Sequence, residues 1–380
     1  MIELAGFQCY NSFQQMLKGR FMLKEKEILS QGIALLQSSL SGVPFLKNAI
    51  VENQPLLGPS HTADVIYSIP EFNYQFVLEA KSSGQPRYAR DAANELLLIQ
   101  KNNPERYGVF VAPFISKDAA KICENANIGY LDLSGNCRLA FRNIFIEKIC
   151  QPNKFTVKRE LASLYSPKSE RILRVLLTYP YQPWRTVELA QKAKVSIGLI
   201  SFVKKQLEDR EWIQIGEDGF SIKQPEALLE EWSNNYSYKK NEITDCYTLS
   251  SPVEIENIVK NFSSDNPQIT YGFTGFSAAN YYAPMVRNQR SMIYLSEVND
   301  FVIQKLNLKP VTSGANVSLF KPYDDGVFWN LQEVNSVLAV SPIQTYLDLK
   351  NYRGRGEEAA DAIYKEVIQK QWSMQKITMP

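Results

Sequence analysis

The chain contains a single histidine, His61, and only five cysteines, Cys9, Cys123, Cys137, Cys150 and Cys246, with no CxxC pair among them. That scarcity excludes a Cys/His zinc cage, which needs closely spaced ligands of those two types. The scattered thiols are expected to be reduced and mostly buried, since a free cysteine packs as a small hydrophobe. No apolar run approaches the roughly 18 residues that a spanning helix needs, and Met1 to Phe21 lacks the basic, apolar, small-residue order of a secretory leader. A cytoplasmic protein with no membrane contact is the expectation. An excess of one charge is missing too: 42 Lys plus Arg stand against 40 Asp plus Glu, a net charge of +2. A globally basic nucleic-acid coat is thereby excluded, while local basic faces remain open. Repeats of about 20 to 50 residues and low-complexity tracts are also absent, which removes solenoids and disordered tails.

What is present is an ordinary globular composition, 44% hydrophobic and 22% charged over 380 residues. That length exceeds what one hydrophobic core usually serves. Texture divides the chain into three expected domains, 1–155, 156–235 and 236–380, the first and last mixed α/β. In the first, Phe21 to Leu40 carries apolar residues at helical spacing. Asn48 to Asn53 is a short candidate strand. Ala63 to Ile69 and Phe72 to Lys81 read as a hairpin across Pro70-Glu71. Arg87 to Gln100 then has helical spacing, Tyr107 to Pro113 reads as a strand, Ser116 caps a helix to Ala126, and Ile128 to Leu133 is another strand. Such alternation implies parallel strands with crossover helices.

The hairpin carries chemistry. Glu79 and Lys81 are two apart and so share a strand face, and antiparallel pairing brings Asp64 beside them. Two carboxylates and a lysine are what metal-dependent phosphodiester hydrolysis uses. The acids, Asp64 and Glu79, hold Mg²⁺, and the cation, Lys81, stabilises charge or orients water. Glu25 or Glu27 of the preceding helix could add an oxygen. Gln85, Arg87 and Arg90 are candidate phosphate contacts. The competing account is a structural ion-pair cluster at a sheet edge. In this element order the segment Phe21 to Phe145 resembles the restriction-endonuclease-like PD-(D/E)XK superfamily. Ala63 stands where that pattern often has proline.

The middle segment reads as a winged helix-turn-helix. Its helices are Arg171 to Thr178, Thr186 to Ala193 with Thr186 as N-cap, and Ile197 to Asp209 with Ser196 as N-cap. A hairpin of Trp212 to Ile215 and Gly219 to Ile222 follows. The third helix of such a unit can enter the major groove. Ser196, Ser201, Lys204 and Lys205 point outward on it, with Arg185 and Lys194 flanking. Against DNA contact stand Glu208, Asp209, Glu211, Glu217 and Asp218, all repelled by phosphate. The open alternative is a dimerisation or interdomain role.

In the last third, helices are expected at Val253 to Asn261 and Glu357 to Gln369, and strands at Ser291 to Leu295 and Ser336 to Val340. Met292-Ile293-Tyr294-Leu295 lacks the paired acids of a nucleotidyltransferase, so neither that catalysis nor a nucleotide cofactor is expected. The ordered set VLEAKSSGQPRYAR, YGVFVAPFIS, IGYLDLSGNCRL, TGFSAANYYAP and VSPIQTYLDLKNYRGRGEEAADAI is similar to AbiEi-type antitoxins of type IV toxin-antitoxin systems, which are winged-helix transcriptional regulators. That resemblance implies a DNA-binding regulator of double-stranded DNA, with a cognate toxin or defence protein and a homodimer as possible partners. Two other functions stay open: an Mg²⁺-dependent endonuclease targeted by the winged helix, and a toxin-neutralising interaction protein.

Overall fold

The computed structural model describes residues 23–43, 65–69, 74–149, 151–154, 164–283, 290–334 and 336–378. The candidate strand at 48–53, the Pro70-Glu71 turn, Asp64, Cys9 and Cys150 lie outside them. The architecture is mixed α/β with several sheets, and the chain divides into two compact units, Met1–Thr156 and Val157–Pro380. The second and third expected segments thus fall within one unit. Among the described residues, no helix is long and apolar enough to cross a membrane.

The first unit is built on a six-stranded sheet in chain order. Its strands are β1 (Val65–Ile69), β2 (Tyr74–Ala80), β3 (Arg106–Ala112), β4 (Gly129–Asp132), β5 (Cys137–Phe141) and β6 (Ile144–Lys148). β1 pairs antiparallel with β2, with Val65 opposite Leu78, while β2, β3 and β4 run parallel. Helices α2 (Pro86–Asn102) and α3 (Lys117–Asn125) make the two parallel crossovers. Ser116 caps α3, its Oγ accepting the Ala119 N–H at 3.3 Å.

Strand alternation sorts the core into two layers. Phe76, Leu78 and Ala80 pack with Ile28, Leu36 and Leu40 of α1 (Glu25–Ser41) on one face. Val77 and Phe110 pack with Ala89, Ala92 and Leu96 of α2 on the other. Gly32 permits the close approach of α1, since a Cβ there would sit 2.6 Å from Val111 Cγ1. The opening helix starts at Glu25, later than its apolar spacing suggests; Glu27 closes its first turn by accepting the Lys24 N–H at 2.9 Å.

The second unit begins with helices α4 (Pro167–Thr178), α5 (Thr186–Ala193) and α6 (Ile197–Asp209), followed by a two-stranded antiparallel ribbon, β7 (Ile213–Gly216) and β8 (Gly219–Ile222). Gly219 adopts φ +134°, and a Cβ there would meet Trp184 O at 2.3 Å, so this ribbon position requires glycine. Thr186 is not the cap of α5. Arg185 holds the extended cap position and Thr186 is already helical, because the Trp184–Phe220 bridge fixes where the chain enters the helix.

Helix α7 (Pro225–Asn235) leads to a seven-stranded sheet of order β12-β9-β13-β11-β10-β15-β14. These strands are β9 (Glu242–Tyr247), β10 (Tyr271–Phe273), β11 (Ser291–Leu295), β12 (Lys309–Pro310), β13 (Val317–Lys321), β14 (Gln332–Val334) and β15 (Val337–Ala339). Around it lie α8 (Pro252–Asp265), α9 (Gly275–Tyr282), α10 (Asp300–Lys305), α11 (Pro342–Lys350) and α12 (Gly356–Ile363). α12 runs through a π-helical turn, Tyr364–Ile368, into α13 (Gln369–Thr378), which extends the terminal helix beyond the expected Gln369. Trp372 donates Nε1–H to Leu177 O at 2.7 Å, and Gln375 donates to Thr178 O at 3.0 Å. The carbonyls left open at the end of α4 are thus capped by the end of the chain.

Candidate functional site

Two groups of candidate residues are placed by the two units. In the first, Glu79 near the end of β2 falls on the α2 face by alternation with Val77, and Lys81 follows it. Lys81 Nζ lies 2.7 Å from Glu79 Oε1 and 3.3 Å from Oε1 of Glu95, a residue of α2. The side chains grade outward, with Glu79 6% exposed, Lys81 20% and Glu95 48%, so the cluster opens to water. Burial pulls the Lys81 ammonium down, but its bonds to and the charges of Glu79 and Glu95 outweigh that and hold its pKa above the ordinary lysine value. Lys81 is therefore a fixed cation and not a proton acceptor near neutrality.

This cluster sits at the carboxyl ends of the parallel strands, where open α/β sheets hold ligands. The Gly84–Ile115 bridge ties the loops after β2 and β3 together; a Cβ on Gly84 would strike Phe114 O at 2.0 Å. Gln85 is the half-buried N-cap residue of α2, and Arg87 and Arg90 are exposed on its first turns. At the end of β4, Asp132 is fully buried. Its Oδ2 accepts from Ile115 N–H (3.2 Å) and Asn136 Nδ2 (2.8 Å), and its Oδ1 from Asn136 N–H (2.9 Å). Asp132 closes the Asp132–Asn136 turn and has few lone pairs left for anything else.

Glu95 is the member of the cluster that sequence reasoning missed. Its signal was weak: an acid between Ala92 and Leu96 at helical spacing, visible only once α2 is known to cross over the β2 end. Of the two acids in the first turn of α1, Glu25 and Glu27, Glu27 accepts the Lys24 N–H of its own helix cap. Among the described residues no group of three His, Cys, Asp or Glu is placed to hold a metal ion. Glu79 and Glu95 both engage Lys81, and Asp64, the other acid expected to hold Mg²⁺, lies outside the described residues. Cys123, Cys137 and Cys246 are buried free thiols, and burial pushes the Cys123 thiol up to about 12, far from a nucleophilic range.

In the second unit, helix α6 is capped by Ser196, whose Oγ accepts the Leu199 N–H at 3.4 Å. Lys194 precedes it in the left-handed conformation, φ 54°. Ile200, Val203 and Leu207 turn inward, while Ile197, Ser201 and Lys205, spaced by four, form an exposed stripe. Ser201 donates its hydroxyl to Ile197 O at 3.2 Å. Lys204 Nζ lies 5.4 Å from the Phe220 ring centroid. Lys205 pairs with Asp209 and Arg185 with Asp218, each at 3.4 Å, so two of the acids facing this side are matched within the chain. Lys194 is exposed and has no acid partner among the described residues.

A third cluster is enclosed. Arg174 of α4 donates from Nε and Nη2 to Gln344 Oε1 at 3.0 and 2.7 Å. Gln344 in turn donates to Tyr236 Oη (2.9 Å) and Asp348 Oδ1 (3.0 Å). Asp348 also accepts from Tyr236 (2.6 Å), Tyr294 (3.1 Å) and Thr274 (2.6 Å). Glu170 accepts from the Tyr323 hydroxyl and lies 3.7 Å from Arg174. All of these tie α4 to α11 and to the seven-stranded sheet. Burial raises the Asp348 carboxyl above its ordinary value against the pull of its donors.

Residues 221–369 match the family described as transcriptional regulator, AbiEi antitoxin, type IV toxin-antitoxin system. The match covers less than half of the chain, and it contains neither the strand-end cluster nor helices α4 to α6. No curated protein and no solved structure matches the chain.

Proposed function

We propose that this chain is a DNA-binding regulator in which α4, α5, α6 and the β7–β8 ribbon form a winged helix-turn-helix, with α6 as the helix that enters the major groove. The observation that carries this reading is the exposed Ile197–Ser201–Lys205 stripe on a capped helix, flanked by Lys194 and Lys204 and followed by a short antiparallel ribbon. The similarity of residues 221–369 to antitoxin regulators supports it independently. By the same similarity, a separate toxin chain is a partner in this reading. Fluorescence anisotropy with a random-sequence duplex is the test. Binding that weakens steeply with added salt is expected; no binding at low salt would overturn the reading.

A second reading is favoured by one observation, the Glu79–Lys81 pair 2.7 Å apart at the end of a parallel strand. In it, the first unit is a restriction-endonuclease-like domain that hydrolyses phosphodiesters, with Asp64 and Glu79 holding Mg²⁺ and Lys81 as the catalytic cation. Gln85, Arg87 and Arg90 contact phosphate. Incubation with supercoiled plasmid and Mg²⁺ or Mn²⁺, beside Lys81→Ala and an EDTA control, decides it. Nicking lost in the variant is expected of a nuclease; equal nicking by both proteins, or none by either, counts against one.

A further inference from the structure

The first turn of α6 has two features that the fold does not require. Ile197, its first residue, leaves 52% of its surface in water at a position open to any polar residue. Gly198 follows. Its φ is not positive, and a Cβ built on it would meet nothing within 4 Å. Packing and backbone geometry would both accept alanine, which is the better helix former by up to about 1 kcal/mol. The exposed Ile197 and the missing side chain at 198 are both accounted for by a surface that lies against this turn, closely enough that Gly198 leaves room and Ile197 is covered.

The charge around the turn says which kind of surface. Lys192 and Lys194 are exposed just before it, and Lys205 ends the stripe that Ile197 begins. The acids Asp209 and Asp218 are matched by Lys205 and Arg185. An exposed apolar residue that follows two exposed lysines suits a polyanion that carries apolar groups among its polar edges. Duplex DNA offers such groups in the major groove, as the C5 methyl of thymine. We propose that Ile197 packs on thymine methyl groups and that Gly198 admits the DNA backbone beside them, which makes the pair specificity-determining. This rests on the DNA-binding reading above.

The test uses the full chain. Duplexes are enriched from a random pool, and each thymine of the enriched sequence is replaced in turn by deoxyuridine, which removes only the methyl. Affinity is expected to fall about fourfold at one or two positions, the effect of burying one methyl-sized group. Ile197→Ala should lose the same factor on the thymine duplex and lose nothing more on the deoxyuridine duplex. Gly198→Ala should raise the melting temperature while weakening DNA binding, a pair of opposite signs that a merely structural glycine would not give. Enrichment with full indifference to deoxyuridine overturns the thymine proposal alone. Failure to enrich any duplex overturns the DNA-binding reading beneath it, with a protein partner left as the occupant of the Ile197 face.

Discussion

The strand-end cluster of the first unit and the enclosed cluster of the second both set carboxylates against a cation, and they serve opposite ends. Glu79, Lys81 and Glu95 form a gradient from buried to half-exposed, so that the charge at the top can meet a solute. Glu170, Arg174, Gln344 and Asp348 are sealed, and Asp348 alone receives four side-chain donors. A sealed and saturated carboxylate has neither lone pairs nor access for chemistry; its effect is to fix which helix packs on which. Exposure, more than the presence of acids and bases, distinguishes a place where chemistry can happen from a structural joint.

Substitutions sharpen the contrast. Asp348→Ala, which strands the donors of Tyr236, Tyr294, Thr274 and Gln344 in the interior, is expected to cost the second unit about 3–5 kcal/mol in urea unfolding. Tyr236→Phe removes one bond to that carboxylate and should cost about 1.5–3 kcal/mol in the same assay. The pH dependence has a definite sign. Burial raises the folded Asp348 above its unfolded value near 3.8. Its contribution to stability is then full below the unfolded value and is lost as pH rises through the folded one. The stability gap between the wild type and Asp348→Asn should therefore narrow as pH rises across that window; a gap that widens would contradict the assignment. At the open cluster, Glu95→Gln is expected to change stability by no more than about 1 kcal/mol. A loss there as large as that of Asp348→Ala would erase the distinction between the two clusters.

Much of the fold was legible in the chain. A β-rich run marked β2 and an apolar run marked β3, Ser116 and Ser196 marked two helix starts, and the helical spacing of Ile197, Ile200, Val203 and Leu207 marked α6. Ile197 is exposed, however, and does not share the buried face of the other three. Three things were not legible, each because it depends on distant partners. Glu170 and Arg174 look like an ordinary exposed i,i+4 pair, yet Gln344 and Tyr323 close over them. The polar sequence of α13 gives little reason for a helix there, and it is held by Trp372 on Leu177 O. Glu95 reads as a solvated helix acid until the β2–α2 crossover sets it beside Lys81. At the candidate sites, the Glu79–Lys81 proximity follows from a two-residue strand spacing and the Lys205–Asp209 pair from a four-residue helical one, whereas the Arg185–Asp218 pair needed the three-dimensional arrangement.

The central claim is that α6 is a DNA-reading helix, and the most direct measurement is the salt dependence of duplex binding for the wild type and for Lys204→Ala with Lys205→Ala. The account predicts weaker binding and a log–log slope shallower by about 1 to 2, as phosphate contacts are lost. Unchanged affinity and slope in the double variant, with DNA still bound, would contradict it and assign the DNA contact to another part of the chain.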